Sequence, residues 1–330
     1  MQKAEFSLVP QSAGLAELIV KAQNLAAASR AESTRRAMES SWNDVESWTQ
    51  QHNLPSLINA PSPEAIALYL TDKASSLSPQ TLTKKLSCVT QALRAAGYQG
   101  PSPASTRHPL VGAVLRGIRR TKGVTPGPNR KDPLLTEQIR LLVGTCGDTL
   151  QGIRDRAIIL VGFAAGGVRR AQLSSADAAQ FEFCEAGLIY HQGRSKNDQE
   201  GIGRKVGIPW GADPETTCPV RALQRWLQAS CVTAGPIFRA INQRGRIADG
   251  ALHPDSVNQI VKRHARLAGL DAESVGAHSL RSGFCTQASR NGASDHAIMR
   301  QSGHKCQKSL AQYVREARAF EDNASGSLGI

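Results

Sequence analysis

Between Thr121 and Pro133 the chain reads T-K-G-V-T-P-G-P-N-R-K-D-P. Its prolines remove backbone donors and its glycines loosen the main chain, so neither a helix nor a strand can be expected to run through it. A 330-residue chain is thereby cut into two parts, each long enough to bury a core of its own. The expected organisation is a leader over residues 1–32, helical or loosely docked, a first domain over 33–120, a linker over 121–133 and a second domain over 134–330. The approach to the linker is basic. From Arg107 to Lys131 there are seven Lys or Arg and no Asp or Glu. Such a run is often only a solvated face, but one that ends in a flexible tether suits two domains closing around a polyanion.

The overall balance points the same way. Forty Lys and Arg against 27 Asp and Glu give a formal charge of +13, a field that favours a nucleic acid as partner. A membrane surface is the competing polyanion. With no long apolar span, signal peptide or lipidation motif, the expectation is a cytoplasmic protein on nucleic acid, with no membrane partner. Seven scattered cysteines, none in a C-x-x-C pair, argue for reduced thiols rather than a disulfide framework or zinc knuckle. Aromatics make up only 5% of the chain, so contact with a duplex backbone fits better than base stacking.

Apolar residues at helical spacing mark the first domain. Ser33-Thr-Arg-Arg36 opens a helix through Trp42, Val45 and Trp48. Ser62 caps a second from Pro63 to Leu70, Ser78-Pro79 begins a third through Leu82, Leu86, Val89 and Leu93, and Leu110 to Ile118 forms a fourth. Arg35, Arg36, Arg116, Arg119, Arg120, Lys122, Arg130 and Lys131 are the candidate contacts to a phosphate backbone. In the second domain Thr136 is an expected N-cap, with helices over Glu137–Val143 and Gly152–Phe163. Phe181 and Phe183, then Leu188 and Tyr190, then Arg204 to Pro209 alternate as strands do. Residues 214–270 read as helices and loops, with His253, His264 and His296 as surface or capping residues. The fold expected is mainly α with a small antiparallel β-sheet.

The last part of the chain carries the chemistry. From Gly276 to Ala317 it holds His278, Arg281, Gly303-His304 and Tyr313 on what periodicity makes three short helices. The first has Leu280, Phe284 and Ala288 on a buried face and ends at Asn291-Gly292. The second starts at Ser294 and stops at Gly303. The third buries Leu310 and Val314 beside Tyr313. A guanidinium forks onto phosphate, a histidine exchanges protons near neutral pH, and a phenol becomes a nucleophile when a base and cations assist it. Each residue alone reads most simply as structural, Tyr313 as a half-buried core tyrosine above all. Their order and spacing together do not.

This box, His-x-x-Arg, then Gly-His, then Tyr nine residues on, resembles that of the tyrosine recombinase, or phage integrase, family. Upstream, the S-T-R-R entry and Gly117-Ile-Arg-Arg120 resemble its helical core DNA-binding domain, and Ala164-Ala-Gly-Gly-Val-Arg169 resembles the segment with the family's first arginine. The resemblance implies a catalytic domain in which Arg169 and Arg281 hold the phosphate, His278 moves the tyrosine proton, His304 bonds the phosphate and Tyr313 is the nucleophile. Lys196, on a β-hairpin, would protonate the leaving oxygen. It implies strand cleavage and rejoining through a 3′-phosphotyrosyl link, without metal, ATP or other cofactor. The expected partners are double-stranded DNA, a homotetramer on two DNA sites, monomeric or dimeric when free, and accessory DNA-bending proteins. Where the family carries an acidic residue three positions after the first arginine, this chain has Gln172, placed to support the site. A DNA-binding regulator of the same fold that has lost catalysis, and a type IB topoisomerase-like relaxing enzyme, are the alternatives. A hydrolase built on Cys285 or Ser282 with His278 lacks the nucleophile-elbow context.

Overall fold

The computed structural model describes residues 13–28, 32–123, 131–193 and 203–317. The chain divides into two compact units, Met1–Pro128 and Asn129–Ile330.

In the first unit the expected leader contains helix α1 (Ala13–Ala28), on which Leu18, Val20 and Leu25 are exposed. Helices α2 (Glu32–Gln51), α3 (Pro63–Lys73), α4 (Pro79–Ala95) and α5 (Pro109–Lys122) follow. Ser62 and Ser78 accept from the backbone N–H groups of Ala65 and Thr81, and a proline fills the first helical position after each, so both helices start where the sequence signals it. α2 packs on α4 and α3 on α5. Trp48, Tyr69, Leu70, Leu82, Leu86 and Leu115 form the core between them. The polar tips of the aromatics are satisfied: Trp48 Nε1 donates to Asp72 at 2.9 Å, and the Tyr69 hydroxyl donates to Asp44, which also accepts from Lys85. α5 runs further than expected, to Lys122, and gathers Arg119, Arg120 and Lys122 in its last turn, where the helix dipole favours cations.

The second unit begins with a docked segment rather than a free tether. Asp132 N–H donates to Ser274 O at 2.7 Å and Leu134 N–H to Ser279 O at 3.1 Å. Both ends of the expected linker are therefore structured. Helix α6 (Thr136–Gly144) follows, and Thr136 is its first residue, not its cap. Leu135 occupies the cap position, and the Gln138 side chain accepts its N–H at 3.0 Å. Next come α7 (Leu150–Ala164), the short α8 (Arg170–Ser174) and the strands β1 (Phe181–Cys184), β2 (Gly187–Gln192) and β3 (Arg204–Pro209). The three strands form an antiparallel meander with Phe181 opposite Tyr190 and Leu188 opposite Ile208. Its inner face, Phe181, Leu188, Tyr190, Val206 and Ile208, joins the main core. Helix α9 (Pro219–Ser230) packs on α7 and buries Trp226 completely, its Nε1 donating to Ile237 O.

Two findings depart from the sequence reading of residues 214–270. A second antiparallel pair, β4 (Arg239–Ile241) and β5 (Ile247–Ala251), lies there. Its strands are short and half-exposed, without the alternation that marks a strand. A turn sets them: Asn242 Oδ1 accepts from the backbone of Arg244 and Arg246, and Gly245 takes φ +74°. Helix α10 (Pro254–Leu267) carries His264, which is buried rather than on the surface. It lies 3.2 Å from Asp155 and 2.8 Å from Thr145. His253 is a cap as expected, accepting from Asp255 N–H, and His296 is exposed.

Helices α11 (Ala277–Arg290), α12 (Asp295–Ser302) and α13 (Gln307–Ala317) close the unit. α11 is buried on nearly every side rather than on one apolar face: α7, α10 and α13 pack on it, and Gly283 admits the backbone of Leu134, whose carbonyl oxygen a Cβ there would meet. Ser294 caps α12 and Gly303 ends it in the left-handed region. Among the described residues no helix is long and apolar enough to cross a membrane.

Candidate active site

The site is built around the turn after α7. Gly166 and Gly167 have φ of +84° and +66°, and a Cβ on either would lie about 2 Å from Gln301 O or Arg281 Cα. Only glycine gives this turn its conformation and lets α11 and α12 come so close. Their carbonyls face Arg281, which is only 5% exposed. Its Nη1 donates to Ser302 O at 2.7 Å and to Gly167 O at 3.2 Å. Five N–H donors in a planar fork suit such a role, leaving part of the group to face the pocket.

Two residues beyond the glycines, Arg169 stands at the start of α8. Its neighbour Arg170 turns away to pair with Asp255 at 2.6 Å. The half-buried Arg169 guanidinium has no hydrogen-bond or ion-pair partner among the described residues, and burial holds its pKa below the usual value. Burial and the charge of Arg169 do the same to Arg281.

α13 lays Tyr313 against α11, with its ring in a small core of Cys285, Ile298 and Leu310. The hydroxyl lies 3.2 Å from His278 Nε2. His278 is exposed by surface area yet crowded by cations. Desolvation first, then Arg281 and Arg169, push its pKa below the ordinary imidazole value, so at neutral pH it is an unprotonated base beside a phenol.

His304 follows Gly303. Ser302 Oγ donates to Ile298 O at 2.6 Å and so accepts from His304 Nδ1, also at 2.6 Å. His304 Nε2 then accepts from Arg281 Nη2 at 3.1 Å. This donor order assigns the neutral Nδ1–H tautomer. Burial, followed by the charges of Arg281, Arg169 and Arg204, depresses its pKa to about 4.

Arg204 is the residue the sequence reading missed. It opens β3, and its pKa is pushed down to about 10, by burial first and then by Arg281 and Arg169. The signal was present: Arg204, Val206 and Ile208 share a strand face, and the last two are buried. Lys196, expected on the β2–β3 connection, and Arg130 lie outside the described residues. The Gln172 side chain, in the middle of α8, is half-buried and makes no hydrogen bond among the described residues. No group of three or more metal-ligating side chains occurs among the described residues.

Of the candidate phosphate contacts, Arg116, Arg119, Arg120 and Lys122 are exposed on α5. Arg119 borders a groove of about 460 Å³ between α4 and α5 that is lined by Gln80, Thr83, Lys84 and Ser87 and by no acidic residue. Arg35 and Arg36 are paired with Glu32 on α2. Lys131 instead donates to the backbone of Glu273 in the second unit.

Comparison with known proteins gives the class. The phage integrase family model matches residues 133–319. The integrase/recombinase xerD homolog of Selenomonas ruminantium is 35% identical over 309 residues, which cover 93% of this chain and 88% of that protein. Tyrosine recombinase XerD of Xanthomonas axonopodis pv. citri is 29% identical over 245 residues, 68% and 74% of the two chains. The integrase of the Tn1549 transposon, solved in complex with transposon right end DNA, shares the fold with a TM-score of 0.64 at 17% identity, over 91% of this chain and 93% of that one. The chain belongs to the phage integrase family, the tyrosine recombinases, which are enzymes that cut and rejoin DNA.

Proposed function

We propose that this chain is a site-specific DNA recombinase that exchanges strands through a 3′-phosphotyrosyl link to Tyr313. One observation carries the reading. Arg169, Arg204 and Arg281 crowd His304 with no carboxylate paired to any of them among the described residues, beside a phenol resting on a neutral histidine. Such a pocket is unfavourable when empty and becomes favourable once a phosphodiester supplies the missing charge.

In the step proposed, Tyr313 Oη attacks phosphorus while His278 Nε2 takes the phenol proton. Arg169 and Arg281 neutralise the non-bridging oxygens as charge grows there. The P–O5′ bond breaks, and the 5′ oxygen leaves with a proton, the role that the family resemblance gives Lys196. A second 5′-hydroxyl reverses the attack, so the bond energy is conserved in the phosphotyrosine. His304 accepts from Arg281 in the free protein; for Nε2 to donate to a phosphate oxygen it must take up a proton, which the phosphate charge favours.

Double-stranded DNA is the substrate in this reading. The basic end of α5 and the groove beside α4 supply backbone contacts, which should make binding strongly salt-dependent. Exchange between two sites takes four protomers, with accessory DNA-bending proteins as further partners. The test is a denaturing gel of full-length protein with nicked suicide duplexes drawn from DNA flanking the gene. Wild type should form a covalent adduct, and Tyr313→Phe should bind the same duplex and form none. Tight binding without an adduct on any of these duplexes would leave a DNA-binding regulator and end this proposal.

A further inference from the structure

Arg204 faces Gln192 across the last register pair of β2 and β3, and its side chain reaches from that sheet to the end of α12. Nε donates to Gln192 Oε1 at 2.8 Å. Nη1 donates to Arg300 O at 2.8 Å and to Gln301 O at 3.1 Å. These are late carbonyls of a helix, acceptors without partners inside it, where a cation is also favoured by the dipole. Gln301 adds a second strut, its Nε2 donating to Gly207 O on β3 at 2.8 Å and to Ala164 O at 3.2 Å.

What hangs from this bridge is the segment that aims His304. Ser302 O takes the shortest bond from Arg281, Ser302 Oγ holds His304 Nδ1, and Gly303 makes the turn between them. A Cβ on Gly303 would lie 2.7 Å from the Arg204 guanidinium carbon, so the turn is moulded against that group. A packing contact between sheet and helix has no need of charge, yet a charge sits here beside two other arginines that oppose it. The geometry accounts for its retention: a planar fork can reach a strand amide and two helix carbonyls at once, and a lysine ammonium cannot.

We propose that Arg204 is a positioning residue for strand cleavage: by bridging the β2–β3 sheet to the last carbonyls of α12, it sets the Ser302-Gly303-His304 turn and thereby the aim of the His304 imidazole at the phosphate. This rests on the reading of the pocket as a phosphoryl-transfer centre.

The experiment compares full-length wild type, Arg204→Lys and Arg204→Met. Three quantities are measured: the thermal midpoint, the ring-nitrogen NMR signals of His304 in the DNA-free protein, assigned by their loss in His304→Gln, and the rate of adduct formation on the suicide duplex. Both variants should fold and retain the duplex. In both, the His304 signals should move and adduct formation should slow by roughly tenfold to a hundredfold, the scale of a misplacement of about 1 Å. Lysine should not rescue methionine. Wild-type cleavage by Arg204→Lys with unmoved His304 signals would overturn the proposal in favour of charge alone. Slowed cleavage with unmoved signals would overturn it in favour of direct contact with DNA, and loss of folding in both variants in favour of a purely structural bridge. Should only Arg204→Met fail to fold, Arg204→Lys decides by the same signals. Should wild type itself form no adduct, the phosphotyrosine reading fails, while the His304 signals still decide whether Arg204 sets the turn.

Discussion

The second unit contains two clusters of basic side chains, and they are resolved in opposite ways. Between α7 and α10, Arg154, Arg263 and His264 converge on Asp155, which is fully buried. Arg154 also donates to Arg239 O at 3.0 Å, and the cluster is complete without a ligand. Around the α7–α8 turn, Arg169, Arg204, Arg281 and His304 converge on no carboxylate among the described residues; burial depresses all four, and the charges of neighbouring arginines add to it for Arg204, Arg281 and His304. The first cluster carries its counter-charge in the chain; for the second, the proposed reaction would bring it with the phosphodiester. The difference separates fold from function more sharply than burial or charge count alone.

Removing the counter-charge from the first cluster should have the largest effect. Asp155→Asn leaves the buried Arg154 guanidinium without its carboxylate and should lower stability by about 3–5 kcal/mol, read by denaturant unfolding, while molecules that remain folded cleave at the wild-type rate. Arg169→Ala is the mirror image. It should slow adduct formation by about a hundredfold to a thousandfold and leave the unfolding midpoint unchanged or raised, since it relieves repulsion and breaks no bond among the described residues. A marked loss of stability in Arg169→Ala would erase the contrast.

Acid should act on the uncompensated cluster next. Folding holds His304 near a pKa of about 4, against an ordinary value near 6.5. The unfolded chain therefore binds more protons between those limits, and stability present above pH 6.5 is lost as the pH falls toward and through about 4. The direction of His278 is the same. Unfolding followed from pH 7 to 4 should show this decline, and His304→Gln should flatten it; an equal slope in the variant would assign the effect elsewhere. The smallest change expected is from Gln172→Glu, which adds an acceptor where this chain has a neutral amide. Cleavage should stay intact or improve in the same gel assay, and a loss of folding would show that Gln172 has a structural part instead.

Much of this was legible in the sequence wherever the signal is local. The starts of α3 and α4 follow from Ser62 and Ser78 with the prolines after them, the meander from alternation, and the gathering of His278, Arg281, His304 and Tyr313 from spacing in one chain segment, to which the family resemblance adds Arg169. What escaped depends on distant partners. β4 and β5 are defined by pairing rather than by their own residues, and His264 lies on a helix whose sequence does not announce Asp155 beneath it. Asp132 reads as tether because the acceptor that holds it, Ser274, is more than a hundred residues away. Arg204 reads as the first residue of a strand until the end of α12 is set against it.

The phenol of Tyr313 stands 3.2 Å from His278 Nε2. On the mechanism proposed above, the nucleophile would be paired with its base before a target arrives. Time then enters only with the phosphate. Once a duplex is seated, single-turnover cleavage should begin without a lag, and the waiting in any exchange this protein carries out should be spent finding its DNA.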